Sequence, residues 1–242
     1  MIRVNQILDA VNFLANKEQE GNTIDIPEFN IVIKMVNISF FTQRYGLPQG
    51  YQPGQPMPKM YYELTQKITD DMKGLKVRMG IEVPALMLDA KGRASIPSDY
   101  VHFSSANHNM IINNTCGDLQ TQLRPIEELT DAQRGDRISD SNKMPTLKDA
   151  TFTIYNTYFQ FDPIGLRNVE FTYLRMPKTP FYASIPDEDT DEDVFTETGS
   201  VHFEYPEDCF NEIVDMCTGY IGLNLRSPDL MGYSENKKEK GV

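Results

Sequence analysis

The sequence predicts an α+β protein: an amino-terminal helical bundle joined by a carboxyl-terminal helix, with a small antiparallel β-domain inserted between them. Three observations carry that expectation. Apolar residues recur at helical spacing near both ends of the chain. β-branched and aromatic residues crowd the middle, in short alternating runs. Glycine and proline clusters separate the two regimes. The segmentation that follows is a helical body over 1–75 with an extended loop at 46–60, a β-rich domain over 76–185 and an acidic linker at 186–198. A strand and helix over 199–232 then return to the helical body, and a flexible tail fills 233–242.

The first helix spans about 3–16, where Val4, Ile7, Leu8, Val11, Leu14 and Ala15 share one face. Gly21-Asn22 stops it, and Pro27 opens a second helix at a first-turn position, where a missing N–H costs nothing. That second helix, PEFNIVIKMVNISFFTQRY, is the stretch around which the chain is organised. Phe29, Val32, Ile33, Val36 and Phe40 form one apolar face. Ile31, Met35, Ile38 and Phe41 form another on the opposite side, with Asn30, Lys34 and Asn37 as a narrow polar edge between them. A helix apolar on opposite sides has to be covered on both. Two readings follow: a central helix wholly inside one subunit, or a helix with one face in the subunit and the other against a neighbour. The short connection between the two helices predicts antiparallel packing.

Gly46 closes the second helix, and GLPQGYQPGQPMPKM follows, with four prolines and three glycines. Such a segment continues neither a helix nor a central strand. It reads as a connection or as an arm that orders on a partner through Tyr51 and Met57. A third helix is expected near 60–72, with Tyr61, Leu64, Ile68 and Met72 on one face. Strand candidates then lie in 93–105, 110–113, 119–123, 151–161 and 168–175. Asp162-Pro163-Ile164-Gly165 reads as the turn of a hairpin between the last two. Thr130 and Gln133 have capping-box spacing, so a short helix is expected from Asp131.

Six of the seven residues from Asp187 to Asp193 are acidic. Asp187, Asp189 and Asp191 match alternate positions of a calcium loop, but Glu192 stands where the loop needs glycine and Thr198 where it needs glutamate. A solvated, self-repelling linker is the reading. Beyond it, Pro206 opens the last helix, on which Phe210, Ile213, Val214, Cys217 and Ile221 share a face.

Composition narrows the function. The 242 residues carry 35 acidic against 23 basic side chains, a net charge of −12, which disfavours a protein that grips nucleic acid by its phosphates. No apolar run is long enough to cross a membrane, and the amino terminus lacks the apolar core of a signal peptide. Cys116, Cys209 and Cys217 are odd in number and lack paired metal-ligand spacing, so they read as reduced thiols. His102, His108 and His202 share no helix face with a cysteine or carboxylate. There is no nucleophile elbow, phosphate loop or zinc-protease motif. The sequence therefore predicts no catalytic residue, no cofactor and no metal site, and a non-enzymatic protein. Its candidate functional residues are Ile31, Met35, Ile38, Phe41, Tyr51 and Met57, as a subunit or partner interface.

In chain order, ILDAVNFLANKEQEG, PEFN, IPSDYVHFSS, NVEFTYLRMPKTP and HFEYPEDCFNEIVDMCTGYIGLNLRSPDL resemble the head-to-tail connector proteins, the ring or tail-adaptor components of short-tailed, crAss-like bacteriophages. The likeness touches both ends and the middle, and its motifs are structural rather than catalytic. The chain departs from it at Ile26, where a Ser or Thr cap is expected before PEFN, and in lacking a Trp near Phe181. The resemblance implies a helical body with a β-rich part, assembled as a cyclic ring of about a dozen copies (a dodecamer). Its implied partners are the portal protein and adjacent tail or collar rings, with DNA as a passing, non-specific cargo and no membrane. The implied location is the virion, after synthesis in the host bacterial cytoplasm. The alternative is a non-virion assembly factor or a soluble binding protein.

Overall fold

The computed structural model describes residues 1–16, 24–45, 69–113, 119–186 and 193–224. The 46–60 loop, Tyr51, Met57, most of the expected third helix, the acidic run 187–192 and the tail lie outside them. Two compact units divide the chain: Met1–Gly74 with Pro177–Val242, and Leu75–Met176.

The second unit is a seven-stranded sheet that curls into a half-barrel. Its strands are β1 (Lys76–Met79), β2 (Arg93–Ser95), β3 (Tyr100–Asn113), β4 (Leu119–Glu128), β5 (Ala150–Ile154), β6 (Tyr158–Asp162) and β7 (Val169–Arg175), in spatial order β1-β7-β3-β4-β5-β6-β2. Two register shifts between β3 and β7, near Tyr100 and Phe103, bend the sheet, because an extra residue on one strand increases local twist. The concave core is aromatic. Phe152, Phe159, Phe161 and Phe171 are fully buried, with Phe152 stacked on Phe161 at 5.4 Å and Phe159 beside Phe171 at 4.8 Å.

The aromatic run 151–161 is two strands rather than one. It turns at Asn156-Thr157, where Tyr155 N–H donates to Tyr158 O, so β5 and β6 form the hairpin. β7 does not pair with β6 across 162–165. It joins β3 and β1 instead, where Val169, Phe171 and Tyr173 point their alternating side chains into the core.

β4 and β5 run parallel, which requires a crossover, and α3 (Asp131–Ser139, numbered after the two amino-terminal helices below) lies within it. The capping box is present: Gln133 N–H donates to Thr130 Oγ1, and Thr130 N–H to Gln133 Oε1. α3 buries no residue. Arg134 and Arg137 tie it down. Arg134 makes a two-pronged pair with Asp162 at 2.6 and 3.3 Å and donates to Tyr155 Oη, which itself donates to Asp131. Arg137 reaches Glu127 at 2.6 Å and also binds Asp149. The Asp162 carboxylate is the main cause that raises the Arg134 guanidinium above its ordinary value.

The first unit corrects the expected architecture. It holds α1 (Val4–Asn16), α2 (Ile26–Tyr45), a two-stranded sheet of β8 (Phe181–Pro186) and β9 (Asp193–Val201), and α4 (Phe210–Asn224). The described chain is mostly β, and its amino-terminal helices are not a helical bundle. The physical reason lies in what covers them. α1 and α2 both pack on α4, but they also pack on β8, and α1 on β9. Phe29 meets the Tyr182 ring edge-on at 6.0 Å, and Phe40 lies 4.6 Å from the ring of buried Tyr205. The amino terminus is pinned by a two-bond bridge between Ile2 and Phe203. His202 Nδ1 accepts from Val4 N–H at the start of α1, which leaves the proton on Nε2 to donate to Glu197.

Candidate functional site

α2 is twenty residues long and apolar around most of its circumference, so the question is which sides the subunit covers. Glu28 lies in its first turn and Arg44 in its last, matching the helix dipole at both ends. Phe29, Ile33, Val36 and Phe40 are fully buried. The neighbouring edge is anchored by hydrogen bonds. Asn30 Nδ2 donates to Tyr182 O at 3.0 Å while Tyr182 N–H donates to Asn30 Oδ1 at 2.7 Å, and Asn37 Nδ2 donates to Lys178 O at 3.1 Å. These two asparagines, one heptad apart, dock α2 on an extended backbone whose donors and acceptors need partners. At the far end Arg44 lies 4.8 Å above the Phe40 ring and pairs with Glu212. Its Nε is also 2.9 Å from Asp71, close enough for an ion pair but off hydrogen-bond alignment.

One stripe stays open. Ile31 is 61% exposed, Met35 46% and Ile38 43%, and exposed Thr42 continues the same row. Phe41 is buried and does not belong to it. At about 100° per residue it falls near Asn30 and Asn37, on the edge that meets residues 178–182. So the structure brings together Ile31, Met35 and Ile38, sets Phe41 inside the subunit, and leaves Tyr51 and Met57 outside the described residues. The role of Asn30 and Asn37 escaped the sequence reading, which saw only a polar edge; two amides at heptad spacing on an otherwise apolar helix were the available signal.

Among the described residues, Cys209, Cys217 and His108 are buried, and Cys116 lies outside them. Burial, helped by the Asp71 carboxylate, pushes the Cys209 thiol up to about 12, and burial pushes that of Cys217 up as well. Both thiols stay protonated at neutral pH and pack as small hydrophobes. Burial lowers His108, which is 2% exposed. Among the described residues no cluster of three His, Cys, Asp or Glu side chains could hold a metal ion, and no helix is long and apolar enough to cross a membrane.

No protein-family model matches the chain, and no curated protein matches it.

Proposed function

We propose that this chain is a non-enzymatic structural protein of a phage virion, one that forms a ring in the head-to-tail connector between portal and tail. The observation that carries the reading is the open stripe Ile31–Met35–Ile38, flanked by exposed Glu28, Lys34 and Thr42, on a helix whose opposite side is packed and hydrogen-bonded. Three large aliphatic side chains in one row, each about half exposed, forgo roughly half of the about 1.5–3 kcal/mol that full burial of such a side chain gives, which contact with a neighbouring subunit recovers. In a cyclic ring every copy offers one patch to a second, different patch on the next copy, so each stripe is covered once. The resemblance of the sequence to connector proteins supports the same reading and supplies its neighbours, the portal and adjacent tail or collar rings. A net charge of −12 suits a wall along which DNA slides without adhering.

Quantitative peptide mass spectrometry of purified virions tests this, with the chain counted against the portal protein. A ratio near one to one is expected. Absence from the particle would overturn the connector reading in favour of an assembly factor, and a much larger copy number would point to capsid or tail sheath.

A further inference from the structure

The β3–β4 hairpin overshoots its sheet. β7 pairs with β3 only from Tyr100 to His108, and β5 pairs with β4 only from Ile126 to Glu128. The two strands nevertheless continue to pair with each other from Asn109↔Leu123 out to Asn113↔Leu119. Among the described residues, that stretch has no strand on its outer sides. It is a two-stranded ribbon, five residue pairs and about 17 Å long, whose two edges present backbone N–H and C=O groups.

Proteins usually blunt such an edge with lysine, proline, a charge or a cover. Residues 109–113 (NMIIN) and 119–123 (LQTQL) contain no Asp, Glu, Lys, Arg or Pro, and on the β4 side Arg124 and Pro125 stand only at the base of the free edge. The contrast with the rest of the chain is the informative point. Two copies that each carry −12 repel, so they meet at least electrostatic cost where neither brings a charge. DNA is a poor occupant, because the ribbon offers phosphate no cation. A backbone edge is also self-complementary, since each copy supplies the same donors and acceptors.

We propose that this ribbon is a self-pairing arm, which adds to the ribbon of a second copy of the chain by β-augmentation. A ladder this short buries less than the roughly 1,200 Å² of a standard interface, so the contact is weak and forms at raised concentration. The inference goes beyond the connector reading, because pairing is a property of the purified chain; absence from virions would leave it standing.

Sedimentation velocity and amide hydrogen exchange on the full chain, from low to high micromolar, test it. Mass is expected to rise with concentration while amides in 109–113 and 119–123 slow. Thr121 is exposed, so Thr121→Lys should keep the melting temperature of the parent and weaken association about tenfold or more. A chain that stays monomeric throughout, association without slowed exchange in the ribbon, or a Thr121→Lys variant that associates like the parent would each overturn the proposal. Pairing with a foreign protein's strand instead would leave the purified chain monomeric, the outcome that overturns self-pairing.

Discussion

α2 and α3 are held by opposite means. α2 is gripped through buried phenylalanine and isoleucine side chains and two asparagine anchors, and it still has apolar surface left over. α3 buries nothing and is tied to its sheet by Arg134 and Arg137. Burial of apolar area scales with surface and is not weakened by ionic screening, whereas charge pairs are local, directional and screened. Surplus therefore means different things on the two helices. Uncovered apolar surface on α2 is an opportunity for a partner. Uncovered polar surface on α3 is an ordinary solvated face.

The comparison breaks most visibly in the α2 core. Phe40→Ala should cost about 3–5 kcal/mol by denaturant titration, since it removes a ring packed on Tyr205 and leaves a cavity. Asp162→Asn should cost about 1.5–3 kcal/mol by unpairing Arg134, and hydrogen exchange should show α3 opening while α2 keeps its protection. Raising salt should weaken the Arg137 pairs with Glu127 and Asp149, both well exposed, by under about 1 kcal/mol, loosening α3 while the buried phenylalanine and isoleucine face of α2 holds. Ile31→Ser, Met35→Ser and Ile38→Ser should each fall within about 0.5 kcal/mol of the parent, because all three side chains lie on the exposed side of α2.

Alkali sharpens the contrast between buried and open groups further. The Cys209 thiol rises from 9.0 to about 12 in the fold, and the Tyr173 hydroxyl, buried and donating to Asp99, from 10.0 to about 12. Each folded value lies above the unfolded one, so each group's contribution is complete below the unfolded value and disappears as pH climbs to about 12. Stability should fall across that window, and Cys209→Ala should flatten the part that begins near 9.

Much of the local structure was legible in the sequence, and the architecture was not. Helical periodicity located α1, α2 and α4, and the capping box located α3, because these depend on neighbours a few residues apart. The bundle failed because periodicity tells that a face is covered without telling by what. β8, Phe203 and Tyr205 supply cover that helices were expected to give. The hairpin across 162–165 failed for a related reason: turn chemistry at Asp162-Pro163 bends the chain but does not select the strand beside β7. Of the candidate site, Ile31, Met35 and Ile38 were readable from spacing. Phe41 was not, since it lies at the margin where an amide-anchored backbone decides burial. The overshooting ribbon had no local signal at all, because it is defined by where β5 and β7 stop.

The most direct test of the account compares the two sides of α2 in one experiment. A triple Ile31→Ser, Met35→Ser, Ile38→Ser variant would be measured for melting temperature and for incorporation into virions produced in place of the parent chain. The account predicts a parental melting temperature with incorporation lost. Normal incorporation of this well-folded variant would contradict the claim that the open stripe is the contact that builds the ring.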